Sequence, residues 1–180
     1  MKLVLAEPRF LKDSVNILSE LVSDVRIKLD PDKLEIVAMD PANVAMVVFR
    51  LLNSAFVEYE VGNMEFFSVN LESLKQILSR AKPSDSIILK LDEETNKLNI
   101  GMRGDSKRNF SLGLIDIHEK EQKIPDLNFD SSVEMESSMF NDSIEDMGII
   151  SDSVSLSIKN NIFLVEATGT TNQAKVEIIS

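Results

Sequence analysis

The spacing of apolar residues changes period repeatedly along the chain. Leu11, Val15, Leu18 and Val22 recur at helical spacing across Phe10–Val22, which predicts a helix with one buried stripe. Val25, Ile27 and Leu29 then alternate strictly, Asp30-Pro31-Asp32 supplies a turn, and Leu34, Ile36 and Ala38 alternate back. That pattern predicts a β-hairpin with one buried face. Ala45–Leu51 and Phe56–Val61 read as two further strands. Leu71–Ala81 returns to helical spacing, with Leu71, Leu74, Ile77, Leu78 and Ala81 inward. Ser86–Leu91, Lys97–Arg103 and Asn109–Ile115 are three more alternating strands, with a turn at Asp92–Asn96.

Glu119–Asp126 breaks the pattern: it is charged, aperiodic and contains Pro125, as an interdomain connector would. Beyond it the pattern predicts a strand around Ser132–Glu136, a helix over Met139–Ile150, a hairpin Val154–Ile158/Phe163–Ala167 and a last strand Ala174–Ile179. This order copies the order before the connector. A shift of 129 places Leu11 on Phe140, Val15 on Ile144, Leu18 on Met147, Ile27 on Leu156 and Ile36 on Val165. Asp13/Asp142, Ser14/Ser143, Asn43/Asn172, Ala45/Ala174 and Val47/Val176 become identical pairs, with no gap over 11–51. One register across helix, hairpin and following strand indicates an internal duplication. The expected domains are 1–117, complete, a connector at 118–130, and 131–180, the N-terminal part of a second copy. Measured against the first, the second copy is about 65 residues short.

Composition narrows the chemistry. The 180 residues include no cysteine, which removes disulfides and thiolate metal sites, and one histidine, His118, which makes a Ser-His-Asp engine improbable. No stretch reaches the ~20 apolar residues of a membrane span. Glu7 comes too early for a signal peptide, so an intracellular protein is expected. The net charge of −11 argues against a nucleic-acid partner until it is divided. Residues 1–116 hold 15 Lys and Arg against 18 Asp and Glu, whereas 117–180 hold 4 against 12. The acidity is concentrated in the second copy.

No motif points to catalysis. His118, at the mouth of the connector, is expected to be an exposed linker residue. Gly101-Met102-Arg103-Gly104 is too short and wrongly placed to cradle phosphate. Asp30/Asp32 and Glu93/Glu94 sit in hairpin turns, where acidic residues serve local backbone hydrogen bonds, so no metal or other cofactor is expected.

Four stretches carry a resemblance: Val37-Ala38-Met39-Asp40-Pro41-Ala42-Asn43-Val44 after the first hairpin, the helix Val69–Ala81, Lys123-Ile124-Pro125-Asp126 with Phe129, and Ser151-Asp152-Ser153-Val154. Together they resemble the proliferating cell nuclear antigen family, the sliding clamps of archaeal and eukaryotic replication. The resemblance implies an α+β DNA-clamp fold, with duplicated domains of antiparallel sheet and amphipathic helices on the inner face. It implies a non-enzymatic processivity factor: a trimeric ring, of this chain or related subunits, that encircles duplex DNA and tethers DNA polymerase, clamp loader and other clients of replication and repair. The location implied is the archaeal cytoplasm, at the nucleoid, or a eukaryotic nucleus.

The resemblance also assigns residues. Lys12, Lys75, Arg80 and Lys82, on or beside the first two helices, would face DNA phosphates, where a sliding ring needs contacts without base readout. Met39, Asn43, Val44, Ile124, Pro125 and Phe129 would receive a client peptide containing a Gln and two aromatic residues. The alternative for Met39 and Val44 is core packing. Phe110, Leu112 and Leu114 on one strand, and Val176 and Ile178 on another, would join subunits by strand addition. The third helix departs from the pattern, with Asn141, Asp142, Glu145 and Asp146 and no cation. Either the first domain alone grips DNA, or affinity is low. Two other readings remain open: a truncated or non-ring clamp-like interaction module without independent DNA loading, and a small hydrolase using turn carboxylates such as Asp40 or Asp92.

Overall fold

The computed structural model describes residues 1–117 and 122–179. It divides into two compact units, Met1–Pro125 and Asp126–Ser180.

In the first unit, β1 (Lys2–Leu5) leads into α1 (Arg9–Leu21), then β2 (Asp24–Leu29), β3 (Lys33–Met39), β4 (Met46–Leu52), β5 (Glu58–Glu60) and β6 (Glu65–Asn70). After α2 (Leu71–Leu78) come β7 (Ser86–Asp92), β8 (Lys97–Arg103) and β9 (Lys107–Gly113). All strand pairs are antiparallel. They form a five-stranded sheet, β5-β1-β7-β8-β9, and a four-stranded sheet, β4-β3-β2-β6. Both sheets and both helices bury their apolar stripes in one core. Leu11, Val15 and Leu18 of α1 are buried as the spacing predicts, a contribution of roughly 1.5–3 kcal/mol each. Asn70 caps α2 by accepting the Ser73 N–H at 3.0 Å, and Glu72 in the first turn complements the helix dipole. The helix stops at Leu78, short of the expected Ala81, and Ala81 closes it through a 3.0 Å bond to the Leu78 carbonyl ahead of Pro83.

Two strands have no counterpart in the sequence reading. The four residues of β1 are too few to show a period, yet Leu3 and Leu5 lie at the centre of the core. In β6 the outward Phe66 beside the inward Phe67 and Val69 hides the alternation.

The second unit contains α3 (Ser137–Gly148), β10 (Ser155–Lys159), β11 (Ile162–Thr168) and β12 (Gln173–Ile179), with sheet order β10-β11-β12. Asn160 and Asn161, at φ 52° and 63°, make the two-residue turn between β10 and β11. The expected strand at Ser132–Glu136 is absent. Its counterpart, β1, is held between β5 and β7, and residues 126–179 contain no equivalent of either. The core is correspondingly half-covered. Ile27 and Leu29 are 4% and 0% exposed, whereas Leu156 and Ile158, at the same places in the repeat, are 49% and 43% exposed.

The repeat itself needs one correction. Ile27↔Ile36 in the first hairpin matches Leu156↔Val165 in the second, so the shift of 129 holds there. Across the next ladder Met39 faces Met46, but Thr168 faces Gln173. The connecting loop is two residues shorter in the second copy, and Val176 therefore occupies the place of Phe49, not Val47. A slip of two leaves every side chain on its original face, so hydrophobic alternation cannot register it.

Candidate functional site

Three surfaces carry the sequence-derived candidates. The first lies where α1 meets the end of α2. Lys12 points its ammonium at two carbonyls just beyond α2, 3.5 Å from Ser79 O and 3.4 Å from Ala81 O. A cation at the C-terminal end of a helix also complements its dipole. Lys75 reaches back to Glu20 of α1 at 3.2 Å. Lys82 is exposed and 3.4 Å from Asp105. Arg80 is exposed, and among the described residues its side chain makes no ion pair. Lys12 and Lys82 line one groove with Pro8, Arg9, Ala81 and Pro83. The four candidates thus form one cluster, but two are spent on tying α1 to α2, and Arg80 and Lys82 are the cations presented to solvent.

Asp85 and Arg108 hold that turn in place. Asp85 is 1% exposed. Its carboxylate accepts the Lys82 N–H at 2.7 Å and the Arg108 guanidinium, while Arg108 Nη1 donates to Arg80 O at 2.6 Å. The carboxylate fills the space where a side chain on Gly104 would stand, so that position requires glycine. Sequence reasoning missed the pair because its members are 23 residues apart on separate elements. A short acidic residue between Pro83 and an apolar strand was the only signal.

The second surface is the loop Asp40–Ala45 and the sheet face beside it. Asp40 builds the loop: its carboxylate accepts the N–H groups of Ala45 at 2.8 Å, Val44 at 2.7 Å and Ala42 at 3.2 Å. Those bonds hold its pKa below the usual aspartate value, the Ala45 bond contributing most. Asn43 takes φ 56° at the crest. Val44 is 84% exposed, so it is not core packing. Met39 is half-buried and lines a hollow with Val37, Phe66, Ile117 and Gln122. Arg26 fixes the start of the connector over this face by donating to Ile117 O at 2.6 Å. Ile124 and Pro125 are exposed in the first unit, and Phe129 is exposed in the second.

The third comprises the strand edges. β9 ends the five-stranded sheet and β12 ends the three-stranded sheet. Leu112 is 9% exposed, and Phe110 and Leu114 pack against the core. Val176 packs against the second unit's core, and Ile178 lines a groove of mixed polarity with Met139, Phe163, Glu134 and Glu136. The side chains named for subunit joining therefore face inward, and what each edge offers is its backbone row. His118 lies outside the described residues. Among those described, no three His, Cys, Asp or Glu are grouped to hold a metal ion, and no helix is long and apolar enough to cross a membrane.

Residues 1–123 match the family model described as proliferating cell nuclear antigen, N-terminal domain. The chain belongs to the proliferating cell nuclear antigen family. A DNA polymerase sliding clamp of Methanococcus maripaludis is 33% identical over 167 residues, 93% of this chain and 66% of that relative. One of Pyrococcus furiosus is 34% identical over 164 residues, again 66% of its length. The chain thus spans about two thirds of these clamps. Among solved structures, a proliferating cell nuclear antigen from Thermococcus kodakaraensis superposes with a TM-score of 0.86 at 20% identity, covering 99% of this chain and 72% of that one. A PCNA2–PCNA3 complex from Sulfolobus tokodaii superposes with a TM-score of 0.90 at 21% identity and the same coverage. The fold is the α+β clamp fold, with antiparallel sheets and one helix–hairpin–strand unit present twice. The clamp's third helix here has the composition read from sequence: Asn141, Asp142, Glu145 and Asp146 are all exposed and bring no cation.

Proposed function

We propose that the chain acts as a sliding-clamp subunit, a non-catalytic processivity factor that surrounds duplex DNA and tethers a polymerase and other clients. The observation that carries this is a pair of unlike sheet-edge strands, β9 in one unit and β12 in the other, in a chain that repeats one helix-on-sheet design. Unlike edges of identical subunits join head to tail, and such contacts form a ring when the rotation between subunits closes. Arg80 and Lys82 meet phosphates, with Lys12 and Lys75 setting the helices behind them. Met39, Asn43, Val44, Ile124 and Pro125 of the first unit receive the client peptide. Encirclement supplies retention topologically, so few cations suffice in a chain of net charge −11.

The test combines light scattering with retention on DNA. A ring has about three times the 20.1 kDa chain mass and, once loaded, stays on nicked circular DNA but runs off a linear duplex. A monomer at high concentration, retained equally on both templates, refutes it. One observation favours the second reading, a clamp-like module that does not close a ring: the core-facing side of β10, where Leu156 and Ile158 are left uncovered. On that reading the same measurement returns a monomer that still binds client peptides.

A further inference from the structure

The chain has no cysteine, so its 8 methionines are the sulfur groups that a mild oxidant meets. Their surroundings differ. Met102 and Met147 are 0% and 2% exposed, Met64 and Met139 are open to solvent, and Met39 and Met46 are half-buried.

Met39 and Met46 stand as a pair. They face each other across the β3–β4 ladder, at its end beside the Asp40–Ala45 loop. Asp40 N–H donates to Ala45 O at 2.9 Å, so the pair next to it is of the kind without hydrogen bonds between its own residues. Side chains of such a pair approach most closely. Alternation puts both on the outer face of the sheet, and two positions further on Val37 faces Val48 on the same side. Met39 also lines the hollow beside Phe66 and Ile117. Two adjacent thioethers thus form the apolar end of this face, within reach of solvent. A thioether is soft and adapts to varied aromatic partners. A sulfoxide in its place is polar, and an aromatic side chain laid on it offers no hydrogen bond in return.

We infer that Met39 and Met46 form a reversible oxidation site that weakens client docking. The inference rests on the reading of Met39 and Val44 as the peptide's anchor. Hydrogen peroxide transfers one oxygen to a thioether sulfur. The S–O bond forms as the O–O bond breaks, the sulfur loses two electrons, and the rest of the peroxide leaves as water. A thiol-dependent sulfoxide reductase restores the thioether and releases the oxygen as water, while two thiols become a disulfide.

The test exposes the 180-residue chain to graded hydrogen peroxide and follows two readouts. Trypsin releases Met39 and Met46 together in residues 34–50, Met64 in 51–75 and Met102 in 98–103, so mass spectrometry counts the oxygens added at each place. Fluorescence anisotropy measures binding of a labelled synthetic peptide containing a Gln and two aromatic residues. Residues 34–50 should gain oxygen after 51–75 and well before 98–103, and binding should weaken on the order of tenfold in step with 34–50. Methionine sulfoxide reductases with dithiothreitol should return the affinity. Met39→Leu with Met46→Leu, compared only with itself before and after peroxide, should lose none of its binding, whereas Met64→Leu should leave the peroxide effect in place. The wild-type titration needs no variant, so a folding defect in the double substitution does not blunt the test. Oxidation of 34–50 without a change in affinity overturns the inference, and so does oxidation of 34–50 no faster than 98–103. A loss that follows 51–75, or that the reductases do not reverse, also overturns it. In each of these cases binding by the untreated chain leaves the anchor reading standing. Failure of the untreated chain to bind the peptide overturns both.

Discussion

Removing the Asp85 carboxylate should loosen the turn that presents Arg80 and Lys82. Asp85→Ala deletes the acceptor of the 2.7 Å bond from Lys82 N–H and strands the Arg108 guanidinium, whose Nε already lacks a partner among the described residues. Breaking a buried pair on one side costs about 3–5 kcal/mol, because the remaining charge is left unpaired. With a urea m-value of about 2 kcal/mol/M, the midpoint should fall by roughly 1.5–2.5 M. The assay has a built-in probe. There is one tyrosine, Tyr59, and no tryptophan, so tyrosine fluorescence reports the first unit while circular dichroism reports both. Asp85→Leu combined with Arg108→Met should destabilise less than Asp85→Ala, since neither charge is then buried alone. Asp85→Asn keeps the shape and should fall between. A midpoint shift below about 0.3 M for Asp85→Ala, or a double variant no better than the single one, would refute the pairing argument.

Further outcomes follow from the same geometry. Tyr59, with its hydroxyl 2.8 Å from Asp30 O, has its pKa pushed up to about 12 by burial and then by the charges of Asp30, Asp32 and Glu65. Tyrosinate absorbance should therefore rise near pH 12 in the native protein and near pH 10 in denaturant. Because the folded value is the higher, this contribution to stability is complete below pH 10 and lost between 10 and 12. For Glu35, burial raises the pKa, but the bonds from Arg50 and Lys33 outweigh it and the net shift is downward from 4.5. Its contribution is present above that value and lost as pH falls through the lowered one, so the melting difference between the wild type and Glu35→Gln should vanish in strong acid. Arg80→Gln with Lys82→Gln should reduce the slope of log affinity for duplex DNA against log salt by about 1.8, with Asp105→Asn as a neutral control. An unchanged slope would remove both from the DNA-facing set.

Periodicity made most of the fold legible because most elements bury one face. The helix at α1, the first hairpin and the strands β7 to β9 were all marked by stripes or alternation that the core uses. The misses share a cause: their form depends on distant partners. β1 exists because β5 and β7 flank it, and the same logic run backwards leaves Ser132–Glu136 without a ladder. At the candidate sites, residue type located the surface but not how each charge is used. Lys12 and Lys75 could not be told from Arg80 by sequence, since what separates them is the nearness of Ser79 O and Glu20. Val44 read as possible packing because valine is usually buried, whereas the Asp40 loop holds it out to solvent.

The shortened loop between β11 and β12 carries a rule for divergence. Asp40–Ala45 joins the first pair of strands through six residues, and Gly169–Asn172 joins the second pair through four. Facing residues of an antiparallel pair share one side of the sheet whatever the length of the loop that joins them, so the loop can shorten while Ala174 and Val176 stay packed on the core. An inserted residue flips side chains only where it enters the ladder, and there a bulge must absorb it. One or two residues inserted after Gly169 should therefore both leave the β11–β12 ladder protected in amide exchange, whereas one inserted between Val176 and Glu177 should not. The copies diverge in the loop and remain one pattern in the ladder.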